Sequence, residues 1–297
     1  MASTRCCLDL FEAVFSDCFE CVKIHGDKSD FYDYTGYNGD TALHLASGKP
    51  LILEYLLPRM SSYVNVKDNL GKTPLFYTFS CSEDECLTSV KLLKNHNADV
   101  HLSSSDGKNL LFYAAMMGYL SVFKYLLSLG VNPKRDNDNM TILHECLLSD
   151  SKSNLDSGLE SDSKSNSGLN SNNKLFKFIL ENAPILNIDQ ENDVSDDGMT
   201  TLHFACYSKN FSALKCLSPT SIYKNINKKN NYGQTPLIIY LDNARGGPIN
   251  LEFIKYLLKN GANPHIQRDG SSSLDLAFEL GDPEIIKTIQ EHQDLPS

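Results

Sequence analysis

"YNGDTALHLAS", residues 37–47, decides how the rest of the chain is read, because close variants of it return five more times. They are "NLGKTPLFYTF" (69–79), "SDGKNLLFYAA" (105–115), "DNDNMTILHEC" (136–146), "DDGMTTLHFAC" (196–206) and "NYGQTPLIIYL" (231–241). The shared glycine gives the anchors Gly39, Gly71, Gly107, Gly198, Gly233 and Gly270, with Asn139 in the slot of the copy that lacks it. Successive anchors are 32, 36, 32, 59, 35 and 37 residues apart, so the long interval is one period plus about 26 residues. Each part of the pattern has a physical reason. Gly or Asn tolerates a left-handed turn residue, Thr caps the following helix through its hydroxyl, and Pro suits the first helical turn. In "SVFKYLLSLG" (121–130), Val122, Phe123, Leu126 and Leu127 form one stripe at helical spacing, and Gly130 stands where a helix C-terminal glycine is expected.

A period near 33 residues, built of a turn and two helices, together with "GDTALHLAS", "GKTPLFY", "GMTTLHFAC", "GQTPLII" and the endings "YLLSLGVNP" and "YLLKNGANP", resembles the ankyrin-repeat family over nearly the whole chain. The fold this implies is an all-α ankyrin-repeat solenoid of helix-turn-helix units with hairpin-like turns. "LDLFEAVFSDCFECVKIH" (8–25) reads as two short helices without a preceding anchor, an N-terminal capping unit over 1–36. Repeats are expected over 37–148 and 174–268, and a divergent C-terminal capping unit with its tail over 269–297. The ending "EHQDLPS" has no purposeful look, although the cap before it reads as complete.

The residues 149–173, which contain SDSKSN twice, are dominated by Ser, Asn, Asp, Gly and Lys and carry too little apolar surface to order themselves. They read as a disordered insertion within the Asn139 repeat, either a tolerated loop or a regulatory one. Ser153 and Ser157 each precede an acidic residue by three positions and are the candidate phosphorylation sites. "SCSEDECLTS" (80–89) and "LDNARGGPIN" (241–250) read as shorter insertions at the same inter-helix place, a second candidate contact surface near Glu83 and Asp84.

The chain has 297 residues and a net charge of −10 at pH 7, without the basic stripe expected of a nucleic-acid module. Its apolar runs are far shorter than the roughly 20 residues needed to cross a bilayer, and no signal-peptide core opens it. Nine cysteines, several at small apolar repeat positions, read as reduced thiols of the cytosol or nucleus. Cys18 and Cys21 form a CxxC near Cys6 and Cys7; inward helix packing explains the pair better than zinc, which normally takes two well-spaced ligand pairs.

His44, His144 and His203 share one slot, and in the family such a histidine supports the turn by hydrogen bonding. Asp106, Asp136, Asp138, Asp196 and Asp197 fall at or before turns, where Asp is an ordinary residue. HExxH, GxSxG, GxxxxGK[ST] and GxGxxG patterns are absent from the sequence. The expectation is therefore a non-enzyme with no catalytic, cofactor or metal site, its array monomeric and neither bound to nucleic acid nor inserted in a membrane. The resemblance implies a scaffold or adaptor that binds another protein on the concave face of turns and first helices, and the acidic balance favours a partner with a basic surface. Candidate contact residues after the histidine slot are Tyr77, Tyr113, Phe204 and Ile239, with Met116 and Tyr207 a turn later; they serve equally as half-buried packing between neighbouring first helices. The alternative is a targeting module of a larger enzyme or membrane protein, of the acyltransferase or lipid-transfer type.

Overall fold

The computed structural model describes residues 9–27, 35–152, 167–189, 192–245 and 249–292. The chain forms two compact units, residues 1–137 and 138–297. In the first, α1 (Leu10–Phe15) and α2 (Phe19–His25) precede the pair α3 (Ala42–Ala46) and α4 (Pro50–Leu56). Next come α5 (Pro74–Tyr77), prolonged by the 3-10 turn Thr78–Ser80, with α6 (Glu83–Asn95), and then α7 (Leu110–Met117) with α8 (Leu120–Ser128).

The second unit contains α9 (Ile142–Lys152), α10 (Ser167–Glu181), α11 (Thr201–Tyr207), α12 (Phe211–Cys216), α13 (Pro219–Asn225), α14 (Pro236–Ala244) and α15 (Leu251–Lys259). A two-stranded antiparallel ribbon, β1 (Gln267–Arg268) and β2 (Ser271–Ser272), leads into α16 (Ser273–Leu280) and α17 (Pro283–Glu291).

The anchors are the turn residues. Gly39, Gly71, Gly107, Gly198, Gly233 and Gly270 have φ between 71° and 86°, and Asn139 has 58°. At Gly107 a second demand is added, because a Cβ there would stand 2.9 Å from the main-chain nitrogen of Asn137 in the next turn. Neighbouring turns approach this closely because they are bonded to each other. Asn69 N donates to Asn38 O (2.9 Å), Ser105 N to Leu70 O (2.9 Å) and Asn137 N to Asp106 O (3.0 Å) in the first unit. In the second, Asp196 N donates to Asp138 O (3.1 Å) and Asn231 N to Asp197 O (2.9 Å).

The first helices are too short to be stable alone, and they are held by caps and packing. Thr41, Thr73, Thr200 and Thr235 stand at the N-cap in extended conformation. One leucine slot repeats along the core: Leu43, Leu75, Leu111, Leu143, Leu202 and Leu237 are all at most 1% exposed. In the last repeat Ser272 and Asp275 form a capping box that takes over from Thr and His.

Two expectations change. Residues 83–89 of "SCSEDECLTS" are not a protruding loop but the start of α6, a 13-residue helix with a Ser82–Glu85 capping box and Glu83 and Asp84 in its first turn. Three acids at a helix N-terminus are favoured by the exposed N–H groups and the dipole, so the residues that looked inserted lengthen a helix. "LDNARGGPIN" likewise begins inside α14, which runs to Ala244. Of the segment read as an insertion, 149–152 belong to α9 and 167–173 to α10, while 153–166, with Ser153 and Ser157, lie outside the described residues. Cys21 is buried on α2 with Cys18 half-buried before it, and Cys6 and Cys7 also lie outside the described residues.

Candidate partner-binding face

In the first unit the turns and first helices present one row of half-exposed aromatic and thioether side chains. Tyr77 is half-buried on α5; its hydroxyl donates to Asp68 Oδ2 at 2.8 Å and its ring meets the edge of His44 with centroids 5.1 Å apart. Asp68 is itself fixed, since its Oδ1 accepts the N–H groups of Leu70 and Lys72 across the turn. Burial, and then the bond to Asp68, raise the Tyr77 phenol, which stays a neutral donor. Tyr113, half-buried on α7, lies edge-on to Phe76 at 5.1 Å, and the Lys72 ammonium stands 5.3 Å from its ring centroid. Met116 is half-buried one turn on, and Met117 is exposed. The turn tips add Tyr37 and Leu70, both exposed.

The second unit treats the same slots differently. Phe204 is 5% exposed and Ile239 4%, so neither is a surface anchor as it stands. The ring of Phe204 stacks on His144 with centroids 4.6 Å apart, and Ile239 is buried on α14 beside the packed interface of α11 and α14. Tyr207 alone of this unit's three candidates is exposed. Tyr232 projects from a turn tip, its hydroxyl donating to Asp197 Oδ1 at 2.8 Å, and Asp138, Asp196, Asp197 and Asp269 are exposed at tips. Asp242 is bridged to Arg268 and to Gln234, and Arg245 pairs with Glu279 at 2.6 Å.

Tyr37, Leu70 and Tyr232 were not singled out from the sequence. Their signal is a large apolar residue one or two places before a turn glycine, a place where Asn and Asp are usual.

The shared histidines are structural. The main-chain N–H of Thr41 donates to His44 Nδ1 (3.0 Å), which puts the ring proton on Nε2, 3.1 Å from Lys72 O in the next repeat. His203 repeats the arrangement with Thr200 N (3.1 Å), Lys228 O (3.0 Å) and Gln234 O (3.2 Å). Burial lowers both, His203 to about 4, so both are neutral at pH 7.

A family profile described as ankyrin repeats (three copies) matches residues 78–156 and 167–268, and a single-repeat ankyrin profile matches 38–69. The chain belongs to the ankyrin-repeat family. It is similar to an ankyrin repeat protein of fowlpox virus (strain NVSL), 30% identical over 138 residues, 42% of this chain and 94% of that one. It is also similar to the ankyrin repeat protein YahD of Escherichia coli (strain K12), 29% identical over 223 residues, 74% of this chain and 97% of that one. Ankyrin repeats are protein–protein interaction modules, and the family is generally non-enzymatic. Among the described residues, no helix is long and apolar enough to cross a membrane.

Proposed function

We propose that this chain is a non-enzymatic scaffold or adaptor that holds a partner protein on its turns and first helices. The observation that carries the reading is the row Tyr77, Tyr113 and Met116 on α5 and α7, with Tyr77 and Tyr113 half-exposed in the slot that Phe204 and Ile239 leave closed in the second unit. Aromatic side chains already oriented by Asp68 and Lys72 lose little freedom on binding, which is the property of an interface anchor. The exposed acidic tips of the second unit support a partner with a basic surface. Buried cysteines such as Cys86 and Cys206, whose thiols burial pushes up, the former to about 12, support residence in a reducing compartment, the cytosol or nucleus. In the domain division that goes with this reading, 1–36 and 269–297 are the capping units, 37–148 and 174–268 are the repeats, and 149–173 is an insertion within a repeat.

The test is affinity capture with the wild-type chain and with Tyr77→Ala/Tyr113→Ala/Met116→Ala, followed by a dissociation constant measured on the purified pair. Loss of capture with an unchanged circular dichroism spectrum supports the face; undiminished affinity of the triple variant overturns it.

A further inference from the structure

The Asn139 repeat differs from its neighbours at one buried point. Where His44 and His203 direct Nε2 at main-chain carbonyls, His144 faces a carboxylate. Asp193 Oδ2 lies 3.7 Å from His144 Nε2 and accepts the Thr141 hydroxyl at 2.7 Å. Both side chains are sealed from solvent, His144 at 0% and Asp193 at 1% exposed. The N–H of Thr141 donates to His144 Nδ1 at 3.3 Å, so the neutral ring carries its proton on Nε2, toward Asp193.

A proton added to this imidazole has one place to go, Nδ1. There it confronts the Thr141 N–H, two donors face each other, and the bond that caps α9 is lost. In exchange the imidazolium gains the attraction of a buried carboxylate in contact range. His203 has only carbonyl dipoles against its burial and stays neutral to about pH 4.

Among the described residues, the elements packed against this point bring further ionisable groups. Glu145 on α9 is 2% exposed, and α11 brings His203 and Cys206. From α10 the buried residues are Leu175, Phe176 and Ile179, while Lys174, Lys177 and Glu181 are exposed. The hairpin at residues 193–200, closed by the isolated bridge of Val194 to Thr200, contributes Asp193, with Asp196 and Asp197 exposed at its tip.

We propose that Asp193 makes His144 a proton-sensitive joint: mild acidification charges His144, trading the Thr141 cap of α9 for an ionic tie to the hairpin that carries Asp196 and Asp197. The device acts at both ends of the contact. It loosens the start of the helix leading to residues 153–166 and fixes the root of an acidic tip.

NMR titration of the histidine rings in the full chain from pH 7.5 to 4, with amide exchange at Thr141, tests it. His144 should titrate at least about one pH unit above His203, and the protection factor of the Thr141 amide, its exchange rate set against the intrinsic rate at the same pH, should fall roughly tenfold over the same range. Asp193→Asn should lower the His144 midpoint by about one unit or more and remove the loss of protection. His144→Gln should make the Thr141 protection factor independent of pH. Should Asp193→Asn lose its helical spectrum at pH 7.5, the wild-type order of titration and His144→Gln decide. A His144 that stays neutral until the second unit unfolds, or that titrates alike with and without the Asp193 carboxylate, overturns the proposal, as does a pH-dependent Thr141 protection factor that survives His144→Gln.

Discussion

His203 is buried without a carboxylate in contact, and its effect on stability has a definite sign. Its folded value of about 4 lies below the ordinary value of 6.5, so between those limits the unfolded chain binds more protons. Stability from this group is complete above about pH 6.5 and is lost as pH falls toward 4, by up to about 3 kcal/mol. Urea unfolding at pH 7 and 4.5 should show the difference, and His203→Gln, which keeps a capping partner at the same helix position, should shrink it. Leu143→Asp or Leu202→Asp puts a carboxylate where nothing is exposed and should destabilise by several kcal/mol; a variant that melts like wild type would displace the register of the repeat. That register was legible because it rests on chemistry local to a few residues. Positive φ restricts the anchor to Gly or Asn, and the cap restricts its neighbour to Thr, Ser or Asn. Asp193 was not legible: it occupies no repeating slot, and only folding brings it 3.7 Å from His144.

Among the elements, α6 shows how a signal present in the sequence was outweighed by alignment. "SEDE" is a capping box, yet the extra residues beside the period made it look like a loop. Ser82→Ala should cost about 1 kcal/mol through loss of that cap, measured by thermal unfolding. For the pair α9 and α10, replacing residues 153–166 with a short Gly/Ser linker should leave the helical spectrum and cooperativity intact, because closing a shorter loop changes the free energy only slightly. A broadened or lowered transition would mean that those residues pack against the repeats. The fate of the slot after the histidine was beyond the sequence. Tyr77 is left half-exposed while Phe204 is covered, and the difference lies in what packs beside each, not in the slot residue itself.

On the scale of the whole molecule, net charge and surface chemistry separate. The charge of −10 is a property of the sum, whereas the candidate face of the first unit is largely aromatic, with Lys72 over Tyr113. A basic partner steered by the acidic tips should bind more weakly as salt rises above about 0.15 M, chiefly through a slower on-rate. A salt-insensitive complex would place the energy in the tyrosine row. The turns themselves have one more consequence. Within each unit the tips share main-chain N–H to main-chain carbonyl bonds, from Asn38–Asn69 to Asp197–Asn231, to which only some tip side chains add: the Asn137 and Asn231 amides donate to Ser105 O and Asp196 O, and the Tyr232 hydroxyl to Asp197. Point mutation can therefore change Tyr37 or Leu70, which carry none of these bonds through their side chains, without altering the spacing of the positions around them. In such a lineage new recognition can arise by exchanging letters on a fixed grid, and descendants can diverge in what they bind long before they diverge in how they fold.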